Sequence, residues 1–187
     1  MGLFSTIKNM IRFRKEFKRS MEQVKENEKR YIKMTADELV ALSDDELFDA
    51  VTARTENKVD RFDEWEDGLN SLNHAQRVFY SVNWFEIEVN NGGLCQFFVN
   101  SSRMVAPFVS DYMGIIGSTD HQKLFDNFIS KNGIDLNDLS SFDIDKAEAF
   151  EAQSKRYPFD EYDHAFYNME PLEVFLKKFI RDHIKDF

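Results

Sequence analysis

The side chains able to do chemistry are few and scattered. Glu161 and His164 have the Glu-x-x-His spacing that puts a carboxylate and an imidazole on one helix face as metal ligands, and Glu86, Glu88 and His183 could project from other helices. A di-metal bundle of this type needs two such pairs and two further Glu, and the chain has one pair, so no metal and no cofactor are expected. Glu86 and Glu88 cannot work together as acid and base, because helical residues two apart point about 200° apart. Cys95, the single cysteine, lies between Leu94 and Gln96 ahead of Phe97-Phe98, the setting of a buried structural thiol. Gly92-Gly93 meets neither phosphate-loop pattern, since no Lys-Ser/Thr follows and no strand precedes. His183 falls on an apolar helix stripe and reads as a hydrogen-bonded core residue. No catalytic residue is expected. A metal-dependent hydrolase using Glu86 or Glu88 with His164 or His183 is the remaining enzyme alternative.

The elements that carry these residues are helices. Of 187 residues, 42% are apolar and 19 are Phe, while only 7 are Gly and 3 Pro. Few turn residues and many large apolar ones favour a compact all-α bundle over many short strands. One cysteine excludes a disulfide framework, and neither a membrane-spanning run nor a secretory leader pattern is present, so a cytoplasmic location is expected. Thr35 with Glu38 and Ser43 with Glu46 are capping boxes that start a short helix near 36–42 and a longer one from 44. Gly68 is expected to end the following segment. From about Leu72 to Asn90 the apolar residues form two stripes, Val78, Val82, Phe85 and Val89 against Tyr80, Trp84 and Ile87, which marks a central helix covered on both sides. Asn91-Gly92-Gly93 stops it, and Leu94 to Asn100 reads as another short buried segment. Further helices are expected from Pro107 to Ile116, from Ser118 or Thr119 to Asn132, near 159–168 and near 171–186, with 134–145 irregular.

Charge divides the chain in two. Residues 1–33 carry 10 Lys/Arg and 4 Asp/Glu, whereas residues 34–187 carry 14 and 30. The first part is expected to form an N-terminal amphipathic basic helix, with Leu3, Ile7, Met10, Phe17, Met21, Val24 and Tyr31 in a 4-3 stripe interrupted by Arg14 and Glu28. Three partners for that stripe stay open: the acidic body (34–187), a second copy of the arm in a homodimer, or an anionic membrane attracted by Lys8, Arg12, Arg14, Lys15, Lys18 and Arg19.

The run Glu88-Val89-Asn90-Asn91-Gly92-Gly93-Leu94-Cys95-Gln96-Phe97-Phe98-Val99-Asn100-Ser101-Ser102 resembles the signature of a bacterial family built around a DNA-mimic protein. Asp44-Asp45-Glu46-Leu47, Ala106-Pro107, Ile116-Gly117, Asp163 with Phe166-Tyr167, and Ile180-Arg181-Asp182-His183 extend the resemblance over roughly 35–187. It implies an all-α fold without known catalytic activity. It also implies an acidic surface, presented on a dimer, that occupies the DNA-binding face of a transcription factor or histone-like protein. Glu88, Asn90, Asn91, Gly92, Gly93, Gln96, Phe97, Phe98 and Asn100 are then structural, the polar ones being expected to be buried and to satisfy backbone groups at a sharp turn.

Mimicry needs clustered carboxylates. A body of this size spans roughly 40 Å, and duplex DNA of that length carries about 23 phosphates. The 30 acidic residues of the body suffice in number but not if spread evenly. The expected clusters are Asp60, Asp63, Glu64, Glu66 and Asp67; Asp44, Asp45 and Asp49; and Asp160, Glu161 and Asp163. The expected partner is a basic, DNA-binding protein, with no direct nucleic-acid binding by the acidic body. An immunity-type inhibitor of a basic toxin or nuclease is the alternative.

Overall fold

The structure, a computed structural model, describes residues 3–144 and 147–187, with side chains described for 18–144 and 149–187. The arm's Lys8, Arg12, Arg14 and Lys15 and the loop's Asp145 lie outside the described side chains. Ten α-helices and three 3-10 turns make up the described chain, with no strand among the described residues. The helices are α1 (Leu3–Lys33), α2 (Ala36–Val40), α3 (Asp44–Val59), α4 (Trp65–Ser71), α5 (His74–Val99), α6 (Ala106–Ile115), α7 (Thr119–Asn132), α8 (Ala147–Ser154), α9 (Phe159–Tyr167) and α10 (Leu172–Asp182).

Both expected capping boxes form: Glu38 N–H donates to Thr35 Oγ1 and Glu46 N–H to Ser43 Oγ, while each glutamate reaches back to the cap amide. A third, Asn73 with Gln76, starts α5. Gly133 closes α7 in the left-handed conformation that its φ of 61° requires. Gly68 does not end a helix but lies inside α4, where a Cβ would stand 2.7 Å from Val59 Cγ1; glycine there lets α4 close onto the end of α3. The eight-residue α8 has one large apolar side chain, Phe150, and hence no stripe by which to anticipate it.

Around α5 pack α3, α6, α8, α9 and α10, with α7 bridging α6 and α9. Both of its apolar stripes are covered: Val78, Val82, Phe85 and Val89 are fully buried, Tyr80 nearly so, and Trp84 and Ile87 partly. The phenylalanines gather around this helix, Phe85 meeting Phe97 edge-on at 4.9 Å and Phe98 stacking on Phe142 at 4.7 Å. Each such pair contributes ~0.5–1.5 kcal/mol beyond area burial. Phe142 thereby pins the irregular 134–144 stretch. α1 meets the body on α3 through Tyr31, and Arg54 of α3 fixes that junction by donating to the carbonyls of Tyr31, Met34 and Phe187.

Candidate functional site

The residues of the signature build a break in α5. Helical geometry fails at Gly92 and Gly93, and Gly93, at φ 77°, occupies the left-handed region that favours glycine. Thus Asn91-Gly92-Gly93 kinks the chain and a second helical stretch, Leu94 to Val99, follows at once. Glu88 ties the two sides together: its carboxylate accepts from Gln96 Nε2 at 2.9 Å, Asn100 Nδ2 at 2.8 Å and Ser102 Oγ at 3.1 Å. Gln96 packs over Gly92, where a Cβ would stand 2.0 Å from its Oε1.

Helix α9 supplies both missing caps. Asp163 Oδ1 accepts the Leu94 N–H at 2.8 Å, and Tyr167 Oη donates to Val89 O at 2.6 Å. These two residues are four apart and share one face. A Cβ on Gly93 would lie 2.1 Å from Asp163 Oδ2, so only glycine lets the carboxylate reach. Phe97 and Phe98 are fully buried beneath the kink, but Asn90 and Asn91 are exposed. The expectation that these two amides are buried is corrected: the turn points them to solvent, and Glu88, Gln96 and Asn100 make the internal bonds.

The candidate chemical groups are dispersed. Glu86 is buried with its Oε1 on the Leu172 N–H at 2.7 Å, serving as the cap that Pro171 cannot give α10, and burial pushes its carboxyl up to about 7. Nothing in the sequence announces a contact across 86 positions. Burial, with the charge of Asp163, pushes the Cys95 thiol up to about 11, so it stays protonated at neutral pH. Glu161 and His164 are exposed. His183 is exposed too, contrary to the expected core position: α10 ends at Asp182, so its ring lies flat on Phe179 with Nδ1 3.0 Å from Phe179 O. No group of three or more His, Cys, Asp or Glu among the described residues is arranged to hold a metal ion.

The carboxylates of the three expected acidic clusters have different surroundings. Asp44 pairs with Arg181 at 2.7 Å and Asp45 with Lys177, both cations coming from α10, so two of the three carboxylates in that cluster are internally neutralised. Asp49, between them and the α1–α3 groove, is exposed, and its carboxyl is pushed up by partial burial and by Asp45 and Glu173. Asp160 and Glu161 are exposed in the first turn of α9, where the helix dipole favours them, but α9 packs on α5 and α7, away from α3. Asp163 is turned inward as a cap and is half-buried.

Asp60, Asp63, Glu64, Glu66 and Asp67 remain together at the connection from α3 to α4. All five are exposed, and none forms an ion pair among the described residues. Trp65 anchors this segment by donating Nε1–H to Tyr80 Oη at 3.0 Å. Glu56 and Glu28 belong with it: the Glu56 carboxyl is pushed up by burial and then by the charges of Asp60 and Glu28. Sequence reasoning missed both, Glu28 because it sits in a basic helix and Glu56 because it stands apart from the acidic run.

A model of the DMP19-like protein family matches residues 70–183, more than half of the chain. No curated protein and no solved structure matches. The matched span takes in α5 with its kink and Glu88, and α9 with Asp163 and Tyr167. It leaves α1, α2 and α3 outside, together with Asp44, Asp45, Asp49, Asp60, Asp63, Glu64, Glu66 and Asp67, so it is narrower than the 35–187 expected. With the pinned kink inside the matched span, the chain belongs to the DMP19-like protein family.

Proposed function

We propose that this chain is a non-enzymatic interaction protein whose acidic edge stands in for duplex phosphates on the DNA-binding surface of a basic protein. The edge consists of Asp60, Asp63, Glu64, Glu66 and Asp67, with Glu56 and Glu28 beside them. The observation that carries this reading is that five exposed carboxylates within eight residues, with Arg61 the one cation in that run, form no ion pair among the described residues, while Asp44 and Asp45 each form one. Family membership supports the same reading. Such a surface gains its binding energy by meeting Lys and Arg groups that otherwise meet phosphate, so the contact weakens steeply as salt rises.

The test is a competition titration in which the full chain is added to a histone-like protein bound to labelled duplex DNA. DNA release at low salt that fades at moderate salt is expected. The triple charge reversal Asp63→Lys, Glu64→Lys, Asp67→Lys is expected to abolish release without unfolding the bundle, since all three side chains are exposed. No release at micromolar wild-type protein, or equal release by the triple variant, overturns the assignment.

A further inference from the structure

We propose that the pocket between α3, the end of α1 and the start of α5 binds a phosphoryl dianion, either free phosphate or the phosphate of a small monoester. Arg54 and Lys58 stand one turn apart on a single face of α3, and Arg61 follows just past the helix end, all three lining a cavity of about 180 Å³. Ile32 of α1, Gln76 of α5 and Phe187 help to close it. Pockets for drug-sized ligands run to ~300–1,000 Å³, so this one suits an ion or a very small molecule.

The cations of the pocket have no counter-ions. Arg54 and Lys58 are half-buried, Arg61 is exposed, and none of the three forms an ion pair among the described residues. Residues 34–187 hold 30 Asp/Glu against 14 Lys/Arg, yet no carboxylate side chain is among the lining residues. Helical phase explains the separation: Glu56, two positions from both Arg54 and Lys58, points about 200° away from them and lines the separate groove that Glu28 also lines. Half-burial costs a cation part of its hydration, which carbonyl and amide acceptors offset less fully than an anion does.

Donors remain for a ligand. Arg54 is fixed in place through Nε on Phe187 O and Nη1 on the carbonyls of Tyr31 and Met34, and its Nη2 has no acceptor among the described residues. Lys58 Nζ gives one hydrogen to Gln76 Oε1 at 3.0 Å and keeps two. Gln76 is held in turn by the Asp186 carbonyl and by the box that caps α5. The negative end of α3 and the positive end of α5 meet here, so their dipoles offset and the three side chains set the field. Three positive charges on one cavity match the charge of about −1.5 to −2 and the several oxygens of a phosphate monoester at pH 7 better than the single charge of a carboxylate. Apart from Gln76, the lining lies outside the 70–183 family match, so membership does not assign this pocket.

Phosphorus NMR of inorganic phosphate titrated with the full chain, at pH 7 and constant ionic strength, tests this. Saturable broadening with one site per chain and a Kd on the order of 1 mM is expected, and an equal concentration of acetate should not reverse it. Glycerol phosphate is titrated alongside: binding at least as tight as that of phosphate identifies a monoester as the ligand, and weaker binding identifies the free ion. Lys58→Met and Arg61→Gln are each expected to weaken phosphate binding about tenfold while leaving the melting temperature of the phosphate-free chain unchanged. Lys123→Gln removes the same charge from an exposed position on α7 and should leave binding as it is. No saturable binding of either compound at about ten times the expected Kd overturns the proposal. So does displacement by acetate, binding indifferent to Lys58→Met and Arg61→Gln, or an equal loss with Lys123→Gln.

Discussion

Glu88→Leu removes the acceptor on which the kink in α5 closes, and the cost follows from what its three donors do next. A hydrogen bond to a charged group is worth ~1.5–3 kcal/mol, and a stranded buried donor costs ~1–3 kcal/mol. Gln96 and Asn100 are only partly buried and can turn to water, whereas Ser102, 3% exposed, is left with only the Phe97 carbonyl at 3.5 Å. Leucine also relieves the desolvation of a carboxylate that no cation contacts in the described structure, which offsets part of the loss. The balance is a destabilisation of about 3 kcal/mol, a large share of the ~5–15 kcal/mol typical of a domain. Glu88→Gln, which keeps the shape and one acceptor oxygen, is expected to lose about half as much. Urea unfolding followed by helical circular dichroism measures both, with Glu66→Leu, at an exposed position, as a control within ~0.5 kcal/mol of wild type. The double variant Glu88→Leu, Ser102→Ala should cost clearly less than the sum of the singles. A loss under about 1 kcal/mol for Glu88→Leu, or strict additivity with Ser102→Ala, would refute the view that this carboxylate holds the kink.

Glu86, with its carboxyl raised to about 7 by burial, keeps its proton in the fold at pH values where the unfolded chain releases it. The fold should therefore lose up to about 3 kcal/mol as pH rises from 4.5 to 7, and Glu86→Gln should flatten that slope in a series of urea melts. His121, 2% exposed with Nδ1 on Ser118 Oγ, has its imidazole pushed down by burial, so its contribution is present above the ordinary histidine range and lost as pH falls through the lowered value. His121→Phe should shrink the drop in melting temperature between pH 7 and pH 5. Gly93→Ala forces a side chain into a positive φ and onto Asp163, and should cost more than about 3 kcal/mol or prevent folding. Gly117→Ala, also at positive φ but facing open space, should cost only about 1 kcal/mol by the same melts.

The helices were legible where a local signal marked them. Thr35, Ser43, Pro107 and Gly133 announce starts or stops through chemistry confined to a few residues, and the double stripe of α5 declares its central place. The polar architecture was not legible, because its partners are far apart in sequence. Glu86 looked like a candidate ligand until the start of α10 was seen to need a cap, and Asp163 looked like surface charge until the break in α5 was seen to need one too. The acidic surface was half legible. Composition counts carboxylates, but only the tertiary fold shows that α10 brings Arg181 and Lys177 to Asp44 and Asp45 while the carboxylates from Asp60 to Asp67 form no ion pair among the described residues.

The two caps that α9 lends to α5 also bear on the order of folding. Leu94 and Asp163 are separated by 69 positions, and Val89 and Tyr167 by 78. Each half of α5 can wind from local contacts within microseconds, and Glu88 joins the two halves through near neighbours, but the caps from α9 wait for a segment late in the chain to dock. Latches this distant in sequence are expected to form after the main barrier, so weakening Asp163 or Tyr167 should hasten unfolding while leaving the refolding rate nearly unchanged. The elbow of the central helix is then the expected site at which α9 lets go when unfolding begins.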